Sequence, residues 1–512
     1  MTTVVIGAGH NGLVAACYLA RAGHNVIVLE ALGGAGGGSR TSEVIPGYRF
    51  DLHSAAHNII NMTDIPADLD LAGAGLRYQQ MNPFAASIRG DGRHVHFWRS
   101  IDETVASIAE HDRGEADAYR KFMNQAVPLV RAVLPAIRAD HSPGSLGRAA
   151  WHLGTALRRG RMPVVRDLLG PYDALLRRRL PSDLTRAPVA AFAAHGAVGP
   201  DVPGGAIYGF WQAAYHLFGQ WHAEGGAQSL IDALVVRLES LGGEVRTSVP
   251  VTRIETVSGR VVAVRTASGE RIATDCVVAA IDPTVTVFEL LDTALPAKEM
   301  TDLGAVRRGN VVQGVVHVAA RALPSYPGAR PADYTGLQSY VESLDMLGAG
   351  WRAAENGRLP DRLPLYAFTP SAIDPTLAPA GHHTIYLACP TTPAEIDGGW
   401  AAHRDQFVEQ ALDTLEEYTP GFRATVVGTH AWTPDLMSGE GTWPGAHPMQ
   451  LDLALYQLGP FRPTPLLASH RTAVAGLYLS GAGTSPTGGI AGTPGRQSAR
   501  AVLADDRSRA RK

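Results

Sequence analysis

Cysteine, lysine and long apolar runs are what this chain has least of. Among 512 residues the cysteines are Cys17, Cys276 and Cys389 alone. Their odd number and wide spacing exclude a disulfide framework and a thiolate metal site, and their apolar settings read as reduced core thiols. No stretch approaches the roughly 20 apolar residues that a membrane-spanning helix needs. The start lacks the basic region and longer apolar core of a secretory signal, so a cytoplasmic location is expected. A formal charge of -3, with no basic arm, argues against a nucleic-acid partner. His94 and His96 alternate in HVHFW, but no neighbouring Cys, Asp or Glu completes a zinc set, so no metal is expected. Lysine occurs only at Lys121, Lys298 and Lys512; the remaining cations are arginine.

What is present is glycine in meaningful places. Thr3 to Ile6 is a short apolar strand that breaks into Gly7-Ala8-Gly9-His10-Asn11-Gly12, and Leu13, Ala16, Cys17 and Ala20 then recur at helical spacing. Val26 to Leu29 is a second strand ending on Glu30, about 20 residues beyond the glycines, where a dinucleotide-binding unit carries its ribose-binding acid. Gly7 permits the tight turn, Gly9 lets a pyrophosphate approach the backbone, and Gly12 packs the helix on the strand with its free N–H groups facing the phosphates. The flanking strand and helix make this a dinucleotide site. A second such motif is lacking: Gly73-Ala74-Gly75 and Gly348-Ala349-Gly350 do not have the required flanks, so a separate nicotinamide domain is not expected.

A second glycine-rich segment closes the chain, GLYLSGAGTSPTGGIAGTPGRQSARAVL from Gly476 to Leu503. Leu477 to Leu479 reads as a strand, and Gly481 and Gly483 let the backbone approach a ligand. Gly488-Gly489-Ile490 reads as opening a helical turn whose N–H groups stabilise negative charge, and Thr493 as an N-cap before Pro494.

The residues after Glu30 resemble a flavoprotein signature: Gly36-Gly37, then Arg40-Thr41, then Gly47-Tyr48-Arg49-Phe50-Asp51. With the closing segment, the chain resembles the phytoene-desaturase-like FAD-dependent oxidoreductases of the amine-oxidase-like superfamily. Two departures stand out. Gly38 replaces the arginine that usually follows the GG pair, leaving Arg40 as the candidate phosphate-facing charge, and His53 stands where many carotenoid desaturases have glycine. Ala482, where many superfamily members have an acid, fits the desaturase-like subgroup.

The resemblance implies an α/β fold: a Rossmann-type FAD-binding domain built from discontinuous segments, 1–80, 211–283 and 466–512. An α+β substrate domain is inserted as 81–210, largely helical, and 284–465. Implied FAD-binding residues are Gly7, Gly9, His10, Asn11, Gly12, Glu30, Gly37, Gly38, Arg40, Thr41, Val251, Ala280, Gly481, Gly483, Gly488, Gly489 and Ile490. By the same resemblance, His53 and His57 fall near the flavin ring, where histidine suits a catalytic base. Expected chemistry is dehydrogenation (desaturation) of a large apolar or polyene-like substrate by hydride transfer to flavin N5, with oxygen or a quinone as external electron acceptor. A redox-neutral flavin-dependent isomerase, an FAD amine oxidase and a non-catalytic FAD-binding protein stay open, as does oligomeric state. The amine-oxidase branch would imply a lysine near the flavin, and none of the three sits in a convincing place.

Two further readings are weaker in pattern. Between Ser145 and Arg179, Leu146, Leu153, Leu157, Val164, Leu168, Leu175 and Leu176 lie beside Arg158, Arg159, Arg161, Arg166, Arg177, Arg178 and Arg179. That is a solvated basic face, with peripheral contact to anionic lipid as the alternative. Trp351, Trp400, Trp432 and Trp443 read as core, with a tunnel-lining role as the alternative.

Overall fold

A computed structural model describes residues 2–138 and 143–511. Within the helix Pro143–Leu169, the side chains of Leu146, Leu157, Arg158, Arg159, Arg161 and Val164 lie outside the described residues, as does Lys512.

A five-stranded parallel sheet forms the base. Thr2–Ile6 is central, with Asn25–Leu29 and Glu244–Arg246 on one side and Cys276–Ala279 and Leu477–Leu479 on the other. Val5 pairs with Val28 and Val278, and Val277 with Leu477. Parallel strands covered on both faces read as continuous apolar runs, and alternate residues serve alternate layers. Val5, Val28 and Val278 pack under the helices His10–Arg21, Gln228–Ser240 and Thr493–Ala510 through Leu13, Leu234 and Val502. Val4, Val277 and Leu479 face the antiparallel meander of Val251–Val257, Arg260–Thr266 and Arg271–Ala273. Cys17, Cys276 and Cys389 are buried and unbridged.

The other sheet has seven strands, in the order 426–432, 311–320, 383–393, 366–368, 337–339, 85–87 and 95–97. One parallel contact, Leu337 to Ala85 and Ser339 to Ser87, joins chain segments some 250 residues apart into this single sheet. Helices between Arg113 and Phe218 cover it, packing Tyr119, Phe122, Phe192 and Phe210 against Phe84, Phe97 and Tyr366. The helical stretch after Ile101 is two helices, Ile101–Ala109 and Arg113–Ile137, because Asp112 caps the second by accepting from the N–H groups of Gly114 and Glu115.

The helix Gln212–Phe218 packs with the helical layer through Ala213, Ala214 and Tyr215, and the strand Gln220–Ala223 that follows pairs with Tyr78–Met81. Several sequence-based expectations need correction. Gly488-Gly489-Ile490 is irregular loop, and the last helix is capped by Gly492 at φ 69°, with Thr493 already inside it. An acid does meet His94 and His96: Asp333, brought by the fold, lies 3.2 Å from His94 Nδ1 and 2.8 Å from His96 Nε2. Burial opposes charge on Asp333, but these bonds and the Arg330 N–H hold its carboxyl well below the usual range. Among the described residues no group of three or more His, Cys, Asp or Glu is disposed to hold a metal.

Arg177 pairs with Asp173 and Asp345, and Arg178 and Arg179 with the buried Asp167, so these charges are engaged within the fold. Among the described residues no helix is long and apolar enough to cross a membrane.

Candidate active site

The N-terminal glycine loop is shaped by two backbone demands. Gly7 turns at φ 96° and donates to Leu29 O at 2.8 Å. At Gly12 an added Cβ would sit 2.1 Å from Gly7 O, so helix and loop touch backbone to backbone. The helix His10–Arg21 starts with no side-chain cap and no acid in its first turn, leaving N–H groups and the positive end of the dipole for an outside anion. Asn11 Oδ1 in that turn is buried with no protein partner. Glu30 closes the second strand and accepts from Ala8 N at 2.8 Å and Leu32 N at 2.9 Å. Gly36 N donates to Ala8 O at 3.0 Å, folding the GG pair onto the first loop.

The C-terminal loop meets this from the opposite side. His10 Nε2 donates to Gly489 O at 3.0 Å, and Ser480 N to Ala279 O at 2.7 Å. Gly483 N donates to Gln450 Oε1 at 2.5 Å. Arg462 is fully buried and donates to the carbonyls of Met449, Leu451, Asp452, Gln457 and Ala482. Burial lowers its pKa to about 10, and it stays charged because every donor direction meets a carbonyl. This one side chain fastens the 449–457 loop to the turn at Ala482.

One cavity of about 830 Å³ runs along these loops and on between the seven-stranded sheet and the helical layer. Of the expected cofactor residues, Gly7, Gly9, His10, Asn11, Glu30, Gly37, Gly38, Val251, Ala280, Gly481, Gly488, Gly489 and Ile490 line it. Gly12, Arg40, Thr41 and Gly483 do not. Gly12 and Gly483 are packing positions, where a Cβ would meet Gly7 O or Pro283. Arg40 folds against Gly36, its Nε buried without a partner. Thr41 is a clasp: its hydroxyl donates to Asp51 Oδ1 at 2.6 Å and accepts from Gln228 N at 3.0 Å.

The two candidate bases separate. His53 lines the cavity, edge-on to Trp443 at 5.4 Å. Burial pushes its pKa down to about 4, a ring nitrogen bonds the Gln313 carbonyl, and Nε2 has no partner. His57 does not line the cavity: it shares a 2.7 Å hydrogen bond with Tyr78, and burial takes its pKa to about 3. Its candidacy as a base is therefore withdrawn. Trp443 also lines the cavity, whereas Trp351, Trp400 and Trp432 are core.

Sequence reasoning missed a cluster in the cavity wall, His195, Gln313, Tyr366 and Tyr386. Tyr386 OH donates to His53 O at 2.5 Å, Gln313 Nε2 lies 3.0 Å from Tyr386 OH, and Tyr366 OH donates to Gln313 Oε1. His195 Nδ1 donates to Ala191 O at 3.1 Å, and the imidazole lies 4.2 Å from the Tyr366 ring, centre to centre. No local pattern in sequence marks these four, which come from separate segments. Arg462, between Phe461 and Pro463, was equally silent.

A glycine-and-backbone dinucleotide cradle opening into a large, mostly apolar cavity fits an FAD-dependent oxidoreductase, the class that the comparisons with known proteins support. The uncapped helix start suits the phosphates of a dinucleotide. The chain belongs to the flavin containing amine oxidoreductase family, whose profile matches residues 201–503, and an NAD(P)-binding Rossmann-like profile matches 5–66. It is 30% identical to pyridine nucleotide-disulfide oxidoreductase domain-containing protein 2 of Rattus norvegicus, over 98% of this chain and 93% of that one. It is 26% identical to a lycopene-forming phytoene desaturase of Paracoccus, over 98% and 97%. The crystal structure of an oxidoreductase from Methanosarcina mazei superposes with a TM-score of 0.63 at 18% identity, covering 98% of this chain and 100% of that one, and shares its fold.

Proposed function

We propose that this enzyme dehydrogenates the carbon skeleton of a large, mainly apolar substrate, and that one observation supports this above all. Beyond the cradle the cavity is walled by residues such as Val133, Ile137, Phe192, Trp211, Leu337 and Leu455. The only carboxylates among its described lining residues are Glu30 and Asp282. Glu30 is engaged by Ala8 and Leu32, and Asp282 by Thr284 and Arg308. A cationic amine would lose its water there without gaining a counter-charge, whereas an apolar chain gains by leaving water. The described lysines, Lys121 and Lys298, are exposed and outside the cavity.

FAD, when bound, supplies the hydride acceptor. The chain's part is to exclude water, orient the substrate and hold a proton. His53 is neutral near pH 7, since burial takes its pKa to about 4, and its buried Nε2 has no hydrogen-bond partner, which makes it the proposed acceptor of the proton that C–H oxidation releases. Oxygen or a quinone is the proposed external acceptor.

The test is anaerobic mixing of the FAD-loaded enzyme with polyenes, terpenoids and amines while flavin absorbance is followed. Bleaching by apolar candidates is expected. Rapid bleaching by a small amine, with none by any apolar compound, overturns the reading.

A further inference from the structure

We propose that His195 and Tyr366 form a hydrogen-bond-accepting seat for a hydroxyl group carried by an otherwise apolar substrate. The inference rests on the apolar reading of the cavity and adds one polar group to it.

The backbone carbonyl of His53 can only accept, so Tyr386, 2.5 Å away, must give it the phenol proton. Tyr386 oxygen then has only lone pairs for Gln313, which fixes the amide with Nε2 toward Tyr386 at 3.0 Å and Oε1 toward Tyr366. Oε1 only accepts, so Tyr366 must in turn commit its proton to Gln313. Every proton in the chain is thus assigned from the His53 end, and Tyr366 presents lone pairs alone to the cavity.

His195 is fixed by the same logic. Its Nδ1 faces the Ala191 carbonyl at 3.1 Å and must carry the proton. Burial takes the ring's pKa down to about 4, so near neutral pH it is uncharged and Nε2 is a bare acceptor. The imidazole lies against the Tyr366 ring, tilted by 36° with centroids 4.2 Å apart, and both residues line the cavity. Two acceptors side by side in an apolar wall call for a donor. A ketone or ether oxygen would face lone pairs, and a hydrocarbon would leave both acceptors unmatched.

The test uses farnesol and its methyl ether, which keeps the oxygen but loses the donor. Binding to the FAD-loaded enzyme is read from quenching of tryptophan fluorescence, since Trp211 and Trp443 line the cavity. The alcohol should bind about ten-fold more tightly than the ether, as one or two well-placed hydrogen bonds allow. Tyr366→Phe and His195→Phe, each checked for parental FAD content, should each cut that preference to about three-fold or less. Tyr366→Phe removes a single oxygen, so it serves even if the histidine variant fails to fold. Equal binding of both ligands, or a preference that survives in Tyr366→Phe, overturns the seat while leaving the apolar reading intact. Binding of neither ligand overturns the apolar reading and the seat with it.

Discussion

Two parts of the cavity wall are built by different means. Around the cradle the walls are backbone: glycines 7, 9, 37, 481 and 489, free helix N–H groups, and carbonyls held in place by Arg462. Elsewhere in the wall they are side chains, with His195, Gln313, Tyr366 and Tyr386 brought from separate segments of the chain. A backbone wall has few atoms to give up, and at Gly7 an added Cβ would meet Ile281 at 2.9 Å. A side-chain wall can be re-cut residue by residue without moving the chain, so substitutions there should alter ligand choice while those at the cradle should alter cofactor retention.

That contrast can be broken most severely at Gly12. In Gly12→Val the new Cβ would start 2.1 Å from Gly7 O, and neither backbone can yield without reshaping the phosphate-facing turn. FAD affinity should fall by about 100-fold or more, roughly 3 kcal/mol, and the flavin-to-protein absorbance ratio of the purified protein should show it. Retained flavin would mean that the cradle is more pliable than a backbone wall can be.

Arg462→Leu comes next. It strands five carbonyls in the interior, and truncating a buried charged partner costs about 3–5 kcal/mol. A lower thermal midpoint at fixed scan rate is expected, with faster flavin release than in Arg358→Leu, a control at an exposed arginine.

Glu30→Ala should weaken FAD retention by about ten-fold or more, since hydrogen bonds to a charged acceptor contribute about 1.5–3 kcal/mol. Unchanged retention on dialysis would show that the carboxylate serves only Ala8 and Leu32.

The smallest effect sharpens the contrast between neighbours. His57→Ala removes one buried hydrogen bond to Tyr78, a loss of about 1 kcal/mol in stability, and should leave the rate of flavin reduction by a true substrate at the parent value. His53→Ala should slow that step. Equal slowing in both variants would remove the distinction drawn from their placement.

The first glycine loop, Glu30 at the end of the second strand, and the strand and glycine turn of the closing segment were legible in sequence because they are local. A strand, a turn that needs glycine and a helix start are contiguous, and their spacing is set by backbone geometry alone. Thr41 was legible as a position but not as a role: its hydroxyl holds Asp51 and Gln228 together, a pairing between segments nearly 190 residues apart. His53 and His57 look equivalent in sequence. Only packing turned one ring to the cavity and the other to Tyr78. Asp333 could not be assigned to His94 and His96 for the same reason, and neither could the acceptor pair of His195 and Tyr366. By itself the sequence determined the cofactor and the form of its cradle, since backbone turns obey short-range rules. The tertiary structure alone decided which side chains share the substrate cavity and which atoms they leave unpaired, because those neighbours are chosen by long-range packing.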